Sequence, residues 1–106
     1  MEEQLLNYDQ SSDVEGSDFF LNVDLFDELM TSLARVYQQL YGSVHRKQTP
    51  DSDLMEIYSR RYQEILLLKE SFPINAVAER EKATDHYSLE LKHARLILQQ
   101  VTDFSL

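Results

Sequence analysis

The sequence predicts an all-α protein: a small antiparallel three-helix bundle preceded by a flexible acidic segment. Three observations predict it. Turn-forming residues are scarce, Gly16, Gly42, Pro50 and Pro73 being the only glycines and prolines, whereas all-β domains need many. Leu, Glu, Gln, Arg and Lys, all good helix formers, are abundant. Apolar residues recur at spacings of three and four, which places them on one side of a helix. The 106 residues suffice for one modest core and leave no room for two.

The first element is the segment 1–21. It is rich in Asn, Gln, Ser and Asp, and Leu5, Leu6 and Tyr8 are the one apolar cluster before Gly16. So few apolar groups do not offset the entropy of ordering a backbone, so disorder or loose docking is expected. The helical domain, 22–106, follows. Its first helix is expected over about 23–41, because Phe26, Leu29, Leu33, Val36 and Leu40 form a stripe that Met30 and Tyr37 widen. Asn22 or Asp24 suits the N-cap, and Gly42 suits the left-handed position past the last turn.

The second helix is expected over about 50–71. Thr49 serves as the cap, Pro50 takes the first helical position, and Asp51 and Asp53 occupy the first turn. Tyr58, Ile65 and Phe72 repeat every seven residues, with Leu54, Arg61 and Leu68 between them. Ile57, Leu66 and Leu67 fall off that stripe, which points to a central helix touching two neighbours. Pro73 disfavours helical geometry at Phe72 and ends the run. The third helix is expected over about 76–103, with Asn75 as its cap. Its stripe is Val77, Thr84, Tyr87, Leu91, Ala94, Leu98 and Val101. At ~1.5 Å per residue it outruns the second helix, so it overhangs or breaks near Thr84–Asp85. Short connections favour antiparallel neighbours. The other architecture the pattern allows is a hairpin of the second and third helices, its core completed by dimerisation.

Composition narrows the function. There is no cysteine, which excludes disulfides and thiolate metal sites. No apolar run approaches the ~20 residues of a membrane span, and the acidic N-terminus lacks the features of a secretory signal, so a cytoplasmic protein is expected. Residues 1–28 hold nine of the 19 acids and no Lys or Arg. The remaining ten acids balance the ten bases. Such a chain lacks the basic surface that grips nucleic acid through its phosphates.

No glycine-rich phosphate loop or nucleophile elbow is present, so no enzyme and no cofactor is expected. His86, Glu90 and His93 lie at i, i+4 and i+7 of the third helix and are the weak candidates for a divalent metal. Two turns between the histidines and the lack of a second Glu-x-x-His motif argue for a solvated flank instead. The apolar, acidic stretch 17–30 carries more weight. Phe19, Phe20, Leu21 and Val23 either fold over the bundle end as a hydrophobic staple or, with Asp18 and Asp24, form an acidic-aromatic recognition segment, large anchors kept in solution by acids. Tyr41 and Tyr62 are the tyrosines most suited to a partner. The expected function is a non-enzymatic module that binds another protein, acting as a regulator, adaptor or chaperone-like subunit. An acidic inhibitor or immunity-type protein blocking a basic, nucleic-acid-handling partner is the alternative, and a metal-binding bundle the third reading.

Overall fold

A computed structural model describes residues 2–104 of the chain, with side chains for residues 19–102. It contains three helices: α1 (Glu2–His45), α2 (Ser52–Ser71) and α3 (Val77–Phe104). No strand occurs among the described residues. The protein is an all-α three-helix bundle.

α2 runs back along α1, placing the Phe72 ring 4.8 Å from Phe26 and Tyr58 6.1 Å from Tyr37. α3 then returns parallel to α1, since Arg80 bonds Asn22 at one level and Glu90 bonds Tyr37 further along. α1 packs along both other helices. Among the described residues α2 and α3 do not pack backbone to backbone.

The centre of the bundle is therefore α1, not the second helix, and the hairpin of α2 and α3 is closed by α1 rather than by a second copy. The cause is the width of the α1 stripe. Phe26, Met30, Leu33, Ala34, Val36, Leu40 and Val44 are all buried, whereas α2 buries only Ile65 completely. Ile57 and Leu67, which had suggested a central helix, are 56% and 66% exposed.

Other local expectations also change. α1 starts at Glu2, so Asn22 and Asp24 lie inside a helix instead of capping one. No proline interrupts residues 2–45, and Glu2 and Glu3 suit the positive end of a helix dipole. The loose docking expected of Leu5, Leu6 and Tyr8 falls on side chains outside the described residues. α1 ends at His45 rather than 41 because Val44, one turn past Leu40, extends the buried stripe. Gly42 is inside the helix with no positive φ, so it is not a left-handed cap. Asp51, not Thr49, caps α2, its side chain accepting from the Leu54 N–H; Pro50 precedes the cap. α2 stops as expected, with Phe72 extended before Pro73. α3 runs unbroken through Thr84 and Asp85, the Thr84 hydroxyl donating to the Arg80 carbonyl.

The molecule is long and spends much surface. Its dimensions are 73 × 27 × 15 Å, the long axis set by the ~66 Å of a 44-residue helix. Its accessible surface is 8146 Å², against about 6,200 Å² for a compact chain of 12.5 kDa.

Candidate functional site

Two features stand out midway along the bundle, and they share a residue. The first is an ionic knot. Arg61 of α2 donates from Nε and a terminal nitrogen to both Glu90 oxygens of α3, at 2.8 and 2.5 Å. The Tyr37 hydroxyl of α1 donates to the same carboxylate at 2.7 Å. One carboxylate thus ties three helices, and it bridges α2 to α3 where their backbones stay apart. The Arg61 guanidinium also lies over the Tyr87 ring, 5.8 Å from its centroid.

The protonation states follow from this geometry. Burial pushes the Glu90 carboxyl upward, but the hydrogen bonds from Arg61 and Tyr37 outweigh it and hold the group below the ordinary glutamate value. Burial, reinforced by the Glu90 carboxylate, pushes the Tyr37 hydroxyl up to about 12. The hydrogen bond to Glu90 raises Arg61 further above its already high value. A carboxylate occupied by three donors and depressed in basicity is poorly suited to accept a substrate proton.

The second feature is a groove between α1 and α2. Tyr37, Tyr41, Tyr58 and Tyr62 line it, with Gln38 and Ser59 at the edge. Tyr41 stacks on His45 with the rings 14° from parallel, and burial raises the Tyr58 hydroxyl. Tyr41 and Tyr62, singled out in the sequence, thus meet in one place although 21 positions separate them. Tyr37 links the groove to the knot, so the groove wall is held by the bond that orients Glu90.

The acidic-aromatic stretch lies on α1. Phe19 is half-buried and meets Phe20 edge to face at 5.6 Å. Phe20 and Leu21 are 67% and 55% exposed, and Asp24 is exposed beside them. The Asp18 side chain lies outside the described residues. Leu21 leads into a different hollow, between α1 and α3, bordered by Leu25, Glu81 and Asp85. The expected recognition segment therefore divides between two sides of α1.

The metal candidates do not converge. Glu90 turns inward to Arg61 and Tyr37, while His86 and His93 are exposed. Among the described residues no group of three His, Cys, Asp or Glu side chains could hold a metal ion. The spacing placed Glu90 on the histidine side of the helix, but its partner is on α2.

Sequence reasoning missed two anchors. Arg61 stands between Tyr58 and Ile65 in the apolar stripe, a position that signals a partnered cation. Arg80 likewise stands three residues after Val77 and four before Thr84. It is 2% exposed. Its guanidinium donates to Asn22 Oδ1 and to the carbonyls of Pro73 and Ile74, and lies 5.4 Å from the Phe72 ring centroid. It locks the α2–α3 corner onto α1. No helix among the described residues is long and apolar enough to cross a membrane. Compared with known proteins, the chain matches no family model, no curated sequence and no solved structure.

Proposed function

We propose that this protein is a non-enzymatic protein–protein interaction module, a cytoplasmic regulator, adaptor or chaperone-like subunit. The observation that carries the reading is the gathering of four tyrosines from two helices in one groove. Tyrosine buries a large ring and keeps a polar tip, which makes it a favoured anchor at interfaces. The exposed Phe20 on the acidic part of α1 supplies a further anchor of the same kind, and the nine acids of residues 1–28 favour a partner with a basic surface.

The test compares affinity capture by the native chain and by a Tyr41→Ala, Tyr62→Ala variant in lysate of the host cell, read by mass spectrometry. The native chain should enrich a defined protein that the variant loses, with the helical spectrum of the variant unchanged. Equal enrichment by both would remove the groove from the mechanism.

A further inference from the structure

One stripe of α3 faces away from the core and carries an ordered set of charges. Glu81, Asp85, Ser88, Lys92, Arg95 and Gln99 follow at steps of four and three, so they lie along one face of the helix. All are exposed. The stripe is acidic, acidic, neutral, basic, basic, neutral. It is close to a palindrome of opposite sign about Ser88: Glu81 and Arg95 stand seven residues to either side, and Asp85 and Lys92 three and four. Among the described residues, none of these four charges forms an ion pair within its own chain.

Apolar residues border the stripe at both ends. Leu21 and Leu25 of α1 share the hollow with Glu81 and Asp85, and Leu25 is 49% exposed. At the other end Leu96 shares a hollow with Lys92 and Arg95 and is 54% exposed. The acidic end, bordered by α1, and the basic end thus follow one another along the same exposed face of α3.

We infer that this α1–α3 face binds a second copy of the chain across a two-fold axis near Ser88. A two-fold axis perpendicular to α3 sets one copy antiparallel to the other and pairs unlike positions reciprocally. Glu81 then meets Arg95 of the second copy, Asp85 meets its Lys92, and Leu25 meets its Leu96. A parallel pairing would set acid on acid and base on base, so the charge order also fixes direction. The tyrosine groove is on the other side of α1 and stays open in such a dimer, so the two inferences stand independently.

Charge reversal with rescue tests it. One variant carries Lys92→Glu and Arg95→Glu, the other Glu81→Lys and Asp85→Lys. Each is measured by light scattering with size exclusion at tens of micromolar, alone and mixed. The native chain is expected at twice the 12.5 kDa chain mass. Each variant alone should run as a monomer, its own charges repelling across the axis, and the equimolar mixture should recover the dimer. Leu25→Asp leaves those four charges untouched and should also yield the monomer. A monomeric native chain overturns the inference. So does a dimer that survives either charge reversal, or a mixture of folded variants, verified by circular dichroism, that stays monomeric.

Discussion

Replacing Arg80 by leucine should unfold this protein more readily than any other single change to a charged residue. The guanidinium makes three hydrogen bonds of 2.8–2.9 Å, to Asn22 on α1 and to two carbonyls of the α2–α3 corner. Hydrogen bonds to a charged group contribute about 1.5–3 kcal/mol each, which sets an upper bound near 9 kcal/mol. The true loss is smaller. Pro73 and Ile74 are exposed residues, so water can reach their carbonyls once the guanidinium is gone, and the leucine restores some of the contact with Phe72. About 3 kcal/mol remains, a large share of the ~5–15 kcal/mol that stabilises an ordinary domain. Urea unfolding followed by circular dichroism reads it directly, and in a thermal scan it lowers the midpoint by more than about 10 °C. Arg80→Lys keeps the charge but loses the planar fork that serves Asn22 and the corner together, so it should recover under half of the loss. Asn22→Ala should cost about 1 kcal/mol in the native background and little in Arg80→Leu, because the partner is already absent. A loss below about 1 kcal/mol for Arg80→Leu would show that the corner holds itself and that the clamp is incidental.

The remaining expectations concern the knot, the core and one glycine. Glu90 has a folded pKa below its unfolded value, so its contribution is complete above about pH 4.3 and is lost as pH falls through the depressed value; Glu90→Gln should flatten the acid limb of a stability–pH curve, and an unchanged limb would remove the knot from acid unfolding. Tyr37 has a folded pKa raised to about 12, so its contribution is complete below the ordinary tyrosine value near 10 and is lost as pH rises through about 12; Tyr37→Phe should unfold over a higher alkaline range, which ultraviolet phenolate absorbance and circular dichroism check together. Leu33→Ala, at a fully buried site of α1, should cost about 2–5 kcal/mol in urea unfolding. Gly42→Ala should stabilise by about 0.5–1 kcal/mol, because the new methyl meets only the mobile Arg46 head at 3.1 Å.

Much of this fold was legible because helices announce themselves through spacing. The α3 stripe from Val77 to Val101 is half-buried or better at every position named from the sequence, and Pro73 stopped α2 at the expected residue. What spacing does not encode is which helix another helix chooses. Ile57 and Leu67 widened the apolar surface of α2 on paper, yet they face solvent. α1 begins earlier than its apolar stripe predicts, at Glu2, because acids and polar residues that resemble a tail by composition are also well placed at a helix N-terminus. The candidate site was half legible. Tyr41 and Tyr62 could be suspected individually, but that they share a groove depends on the antiparallel register of α1 and α2. Arg61 and Arg80 carried a local signal, a cation within an apolar stripe, and a search for buried partners rather than for metals would have found Glu90.

The spine-like role of α1 has a consequence for biogenesis. Its greasy side faces two helices that come later in the chain and whose backbones stay apart. During synthesis the α1 stripe stays bare until both have emerged, and α1 is the one helix whose backbone either latecomer packs against, α2 and α3 meeting through side chains such as Arg61 and Glu90. Assembly is then a single concerted step rather than growth from a preformed hairpin. A fragment ending at Phe72 should melt gradually instead of sharply, and a sharp transition in that fragment would refute the view.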